Sequence, residues 1–148
     1  MPDKIRDRIS TLATAEHVIA GHDLYPVSVR SDNLTISDRL DAYHRWAVQW
    51  HDRYRTPFWI AETSNLGLPV DDQVPWFEAF TNRLQLMAAD GLPVRGICWY
   101  SRGDQFDWQT ALTEPTGALT EVGLYSQTRD PRAITAALQN TIEHAHGT

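Results

Sequence analysis

A chain of 148 residues, 42% of them hydrophobic, is long enough for one domain with a real core, and its apolar positions recur from end to end, which excludes a disordered chain. The net charge of −6 and pI near 5.4 exclude the basic face that nucleic-acid binding needs, and a lone cysteine, Cys98, excludes an internal disulfide framework and fits a reducing compartment. No apolar run approaches the ~18–20 residues of a membrane span, and the chain opens on a charged amphipathic segment rather than a signal peptide, so a cytoplasmic location is expected.

In chain order, a helix is predicted over residues 3–14, where Ile5, Ile9 and Leu12 share a face. Val18–Tyr25 reads as the first strand, turning polar through His22 and Asp23, and a loop of Pro, Ser, Asp and Asn follows. Ser37 is the expected N-cap of the next helix, whose Leu40, Tyr43, Ala47, Trp50 and Tyr54 recur at intervals of three and four. After Pro57 comes a nearly all-apolar strand, Phe58–Glu62, of the kind that a parallel sheet covers on both faces. Pro75 stands where a first helical residue would, Phe77, Phe80, Leu84 and Met87 form the stripe, and Asp90-Gly91 ends that helix. The third strand is Arg95–Tyr100. A long loop from Ser101 to about Thr128 leads to a last helix that is expected to start at Asp130-Pro131 and to bury Ile134, Leu138 and Ile142. Strands alternating with helices imply right-handed crossovers and a parallel α/β sheet.

In such folds chemistry gathers at the C-terminal ends of the strands. Three polar clusters occupy those ends: His22-Asp23-Leu24-Tyr25, Glu62-Thr63-Ser64-Asn65, and Trp99-Tyr100-Ser101 with Asp104-Gln105-Phe106-Asp107-Trp108 beyond. Glu62 is the sharpest signal, because a carboxylate directly ending an apolar strand is costly unless paired; its bland reading is a capping or salt-bridged surface residue. Six tryptophans suit a core, an interface or a sugar-stacking platform. His44 and His51 read as helix-surface imidazoles short of a zinc ligand set, His144 and His146 as solvated, and Cys98 as an inert core residue. Ser64 and Ser101 lack the pattern of a nucleophilic triad, and there is no Gly-rich phosphate loop. No metal and no cofactor are expected.

The segments resemble the last three strands of glycoside hydrolase family 1, in the wider clan of (β/α)8 glycosidases. Gly21-His22-Asp23-Leu24-Tyr25 stands where the family's sixth strand ends in Gly-x-Asn-Tyr-Tyr, and Ile60-Ala61-Glu62-Thr63-Ser64 where the seventh ends in Ile-Thr-Glu-Asn-Gly. Trp99-Tyr100-Ser101 and Asp104–Trp108 stand for Trp-Ser and Asp-Asn-Phe-Glu-Trp of the eighth, and Gly123-Leu124-Tyr125 with Arg129–Arg132 is similar to the segment before the family's final helix. The likeness runs over about residues 16–142. It implies that Glu62 is the catalytic nucleophile and that Tyr25 hydrogen-bonds its carboxylate. It further implies that Trp99 floors the sugar subsite, and that Asp107 and Trp108, with Asp23 and Gln105, bind glycone hydroxyls. Asp23 replaces Asn, Leu24 replaces Tyr, Thr63-Ser64 replaces Asn-Gly and Asp107 replaces Glu, changes that bear on which glycone is accepted.

The fold expected is a partial (β/α)8 barrel of about three parallel strands with four helices, a single domain over residues 1–148. A complete barrel takes about 250 residues, and the family's Asn-Glu, which carries its acid/base carboxyl, does not occur here. The chain is therefore expected to be a fragment, a split-gene half or a relic, inactive by itself, with a carbohydrate (β-glycoside) as ligand. An N-terminal barrel half or self-association is the expected partner. Two alternatives are a carbohydrate-binding or interaction domain completed by another chain, and a small α/β hydrolase using Glu62, Asp107 and Glu114.

Overall fold

The computed structural model describes residues 18–28 and 34–146; the helix expected over residues 3–14 lies outside them. Three parallel strands, β1 (Ala20–Asp23), β2 (Phe58–Thr63) and β3 (Val94–Trp99), form one sheet in the order β1-β2-β3. Helix α1 (Ile36–Tyr54) connects β1 to β2, α2 (Gln73–Ala89) connects β2 to β3, and α3 (Ala133–His146) ends the described chain. This is the α/β architecture expected, with the first strand shorter than the expected Val18–Tyr25 and the third shifted back by one residue. Among the described residues no helix is long and apolar enough to cross a membrane.

Most of the helix positions read from periodicity lie in the core, and Trp76, which the expected stripe omitted, joins them. Leu40, Tyr43 and Ala47 of α1 and Trp76, Phe77, Phe80, Leu84 and Met87 of α2 are buried against Phe58 and Ile60 of β2, with Ile134 of α3 alongside. Leu138 packs partly against this cluster, whereas Ile142 is largely exposed. Gly91, at φ +90°, takes the left-handed turn after α2 that glycine adopts without steric cost.

Three helix starts differ from expectation, each for a local reason. Thr35, not Ser37, caps α1: its hydroxyl accepts from the Asp38 amide at 3.1 Å, and the Asp38 carboxylate accepts from the Thr35 amide at 3.0 Å. This reciprocal box needs an acidic residue three positions after the cap, which Ser37 lacks. A 3-10 turn, Val70–Asp72, leads into α2, so Pro75 is its third residue, still within the first turn where a missing N–H costs nothing. Before α3, the amide of Ser126 bonds the Asp130 carbonyl at 3.0 Å and that of Arg132 bonds the Leu124 carbonyl at 2.9 Å, which holds Asp130-Pro131 extended and delays the helix to Ala133.

The long loop after β3 is partly ordered by a short antiparallel pair, β4 (Gln105–Phe106) with β5 (Leu119–Thr120), and a 3-10 turn at Trp108–Thr110. Its return leg packs so tightly on Gly103-Asp104 that a Cβ at Gly123 would lie 2.5 Å from backbone atoms of both.

Only one face of the sheet is covered by these helices. On the other face Trp59 is 40% exposed, and Arg95 and Cys98 are exposed as well. Cys98 was expected in the core; strand alternation puts it opposite the core residue Ile97 and turns its thiol outward.

Candidate active site

Two register slips shape the C-terminal end of the sheet. On β1 the pairing shifts between His22 and Asp23, so that Asp23 pairs with Glu62. On β2 it shifts between Ile60 and Thr63, both fully buried, which leaves Glu62 partly exposed at the strand end. The Leu24 amide then bonds the Glu62 carbonyl at 2.9 Å and carries the chain past the strand to Tyr25.

There the Tyr25 hydroxyl donates to Glu62 Oε2 at 2.6 Å, the short distance of a charge-assisted bond. Burial raises the Tyr25 hydroxyl pKa far above its ordinary value, and the hydrogen bond and charge of Glu62, with the nearby Asp23 and Tyr100, raise it further. Tyr25 therefore keeps its proton and stays a donor. Its ring meets the edge of Trp108 at 5.4 Å between centroids, and Trp108 meets Tyr100 in the same manner at 5.0 Å. Glu62 thus stands at one end of a contiguous aromatic wall, Tyr25–Trp108–Tyr100.

The remaining expected site residues divide. Asp23 is exposed beside Glu62. Asp107 opens the turn that presents Trp108, and its Oδ1 accepts from the Thr116 hydroxyl at 2.7 Å and the Ala118 amide at 3.1 Å. Those bonds, the Thr116 one foremost, hold its carboxyl below the usual range. Gln105 donates to Ser101 Oγ at 2.9 Å and to the Gly103 carbonyl at 3.1 Å, bracing the exit from β3. Asp107 Oδ1 and the Gln105 amide are therefore engaged in shaping the loop.

Trp99 is not at the mouth. Its ring is 7% exposed in the core, edge-on to Phe77 at 6.0 Å, and its indole N–H donates to the Val122 carbonyl at 2.9 Å. Tyr100, the next residue, is the one that meets Trp108 in the aromatic wall. The signal was present in the sequence: if Ile97 faces the core, Trp99 must as well, and Tyr100 turns the other way.

The polar residues after Glu62 support the site from below. Thr63 Oγ1 accepts from the Trp76 indole at 3.1 Å, and Asn65 Nδ2 donates to the carbonyls of Leu68, Pro69 and Glu121. Gln73, buried, ties Asn65 Oδ1 to the Gly123 carbonyl. Asp104 is bound by both terminal nitrogens of Arg132, which also reaches Glu121 Oε1 at 3.0 Å. Burial works against the Asp104 carboxylate, but Arg132 and the Gly123 amide prevail and keep its pKa low. His22, counted among the strand-end polar groups, belongs to the core. It stacks on Phe58 at 4.6 Å between Trp46 and Trp50, with Nδ1 2.9 Å from the Tyr43 hydroxyl. Among the described residues no group of three or more His, Cys, Asp or Glu could hold a metal ion.

No protein-family model matches the chain, and no curated protein does. Solved structures do. The family 1 β-glucosidase from Thermotoga maritima in complex with isofagomine lactam superposes with a TM-score of 0.65 at 14% identity, over 97% of this chain and 38% of that one. The β-D-glucuronidase of Dictyoglomus thermophilum gives a TM-score of 0.61 at 18% identity over 83% of this chain and 22% of that one. β-Glucosidase 2 from the fungus Trichoderma reesei gives 0.56 at 18% identity over 72% and 26%. The chain thus spans well under half the length of each. What it has in common with them is fold: a parallel three-stranded α/β segment such as occurs within (β/α)8-barrel β-glycosidases.

Proposed function

We propose that this chain carries the nucleophile and the glycone-facing wall of a retaining β-glycosidase-type site, on a single-domain partial (β/α)8 barrel. The observation that supports this reading best is the 2.6 Å bond from Tyr25 to Glu62 beside Trp108 and Tyr100. A nucleophilic carboxylate must stay ionised next to an oxocarbenium-like transition state, and a donor that cannot itself ionise favours that state. In this reading Glu62 attacks the anomeric carbon, Tyr100 and Trp108 offer ring faces and edges to the pyranose, and Asp23, Gln105 and Asp107 line the glycone end.

Departure of the leaving group needs a second carboxylic acid about 5–5.5 Å from the nucleophile. Asp104 is committed to Arg132, and Asp107 Oδ1 to its own loop. We assign that acid to a barrel segment outside this chain, which is then its structural partner in the cytoplasm, and a β-glycoside is its ligand.

An activated 2-deoxy-2-fluoro-β-glycoside tests the assignment without needing an acid, because dinitrophenolate leaves unprotonated. Gluco- and glucurono-configured reagents incubated with the chain should each be scored by mass spectrometry. One glycosyl adduct on the peptide holding Glu62, absent from Glu62→Gln, is the expected result, with no turnover of an unactivated alkyl glycoside. No adduct from either reagent defeats the nucleophile assignment. Saturable sugar binding without an adduct would favour a carbohydrate-binding domain completed by another chain.

A further inference from the structure

Away from Glu62, the loop leaving β3 and the turn before α3 enclose an open cleft of about 560 Å³ lined by Arg102, Gly103, Tyr125, Ser126 and Arg129. Its charge is unusual for a chain of net charge −6. In the same corner Arg132 is neutralised by two carboxylates, Asp104 and Glu121. Arg102 and Arg129, by contrast, form no ion pair among the described residues. The nearest acidic residue in sequence, Asp130, accepts from the Thr128 hydroxyl at 2.5 Å within the turn.

Both arginines are set on fixed supports. The Arg102 guanidinium lies over the Tyr125 ring, 5.9 Å from its centroid, a contact that leaves its N–H groups free to reach a ligand. Segment 102–103 is held against Tyr125 by the bond from the Tyr125 amide to the Arg102 carbonyl at 3.0 Å. Arg129 sits at φ +67°, a left-handed conformation in which glycine would be at ease. The turn is closed by its amide on the Ser126 carbonyl at 3.0 Å and by the amides of Thr128 and Asp130 on Ser126 Oγ, each at 3.2 Å. A strained cation on a closed turn and a second unpaired cation line one cleft, a placement that bulk solubility does not require.

We infer that this cleft is an oxyanion-binding site, in which the Arg102 and Arg129 guanidinium groups grip a phosphate or carboxylate of a small molecule. Two planar forks match the paired oxygens of either group, and Ser126 and Gly103 line the floor on which it rests. The site stands independently of any role for Glu62.

The whole 148-residue chain, titrated at constant ionic strength with inorganic phosphate and separately with D-glucuronate, tests this. The backbone NMR signals of Gly103, Ser126 and Arg129 are the readout, with chloride as the exchange control. Saturable shifts at these residues are expected. Arg102→Gln should weaken binding about tenfold, and Arg102→Lys less, because charge is kept and the fork lost. Arg129→Gly relieves the left-handed backbone, so it should fold as well as the parent yet lose the site to the same extent. Saturation by phosphate alone or by glucuronate alone supports the site and names the source as a phosphorylated or a carboxylated ligand. Shifts that do not saturate, that chloride reproduces, or that survive Arg102→Gln with Arg129→Gly overturn it.

Discussion

At the residue scale, the proposed chemistry rests on the hydroxyl of Tyr25 and its bond to Glu62. Tyr25→Phe removes one hydrogen bond to an ionised group, worth about 1.5–3 kcal/mol, and should slow adduct formation at Glu62 about 10- to 100-fold without loss of fold. Stopped-time mass spectrometry measures it, and an unchanged rate would mean that the bond does not assist attack. His22 offers a separate, stability-based test. Burial lowers its pKa from 6.5 to about 4, so the folded chain holds it neutral while the unfolded chain protonates it below 6.5. Stability is then fully present above pH 6.5, is lost as pH falls, and stops falling near pH 4 once the folded form also takes the proton. The total is about 3 kcal/mol. Denaturant melts at half-unit pH steps should show this limb, and His22→Phe should flatten it while costing about 1–3 kcal/mol at pH 7 for the unpaired Tyr43 hydroxyl. Glu62 and Tyr25 were legible as polar residues following apolar strands. Trp99 was not legible as a core residue from the Trp-Tyr-Ser likeness alone; strand parity with Ile97 is what turns it inward.

At the level of elements, periodicity located all three described helices and most of their buried positions, since Phe77, Phe80, Leu84 and Met87 can only share one face, while Ile142 of the last helix lies largely exposed. Boundaries were less legible, because each depends on a partner remote from the repeat. Thr35 caps α1 only because Asp38 reaches back, and Asp130-Pro131 stays extended only because Leu124 and Ser126 bond across it. Thr35→Ala should therefore cost about 1 kcal/mol in a urea melt, and Ser37→Ala close to nothing. Equal effects from the two would contradict the capping box. The short β4–β5 pair had no apolar alternation to announce it, being two residues a side.

For the molecule as a whole, among the described residues the sheet is covered by helices on one face and open on the other. A core aromatic such as Trp76 is fully enclosed, whereas Trp59 presents its indole on the uncovered side. Trp59→Lys should change the unfolding free energy of the isolated chain by no more than about 0.5 kcal/mol, the range of exposed substitutions. A loss above about 2 kcal/mol would mean that a second copy covers this face in solution. Which residues lie on this face depended on the three slips of register, which no pattern in the sequence displays.

Asp104 lies four residues before Trp108, and its clasp is Arg132, far downstream in the chain. During synthesis Tyr25 and Glu62 leave the ribosome well before the arginine that fastens the Trp108 loop. The carboxylate and its phenol can meet early, but their indole neighbour is locked in place only when the last helix begins to emerge. A nascent chain halted between residues 110 and 130 would therefore be a useful intermediate, with Glu62 already met by Tyr25 and the Trp108 wall not yet raised.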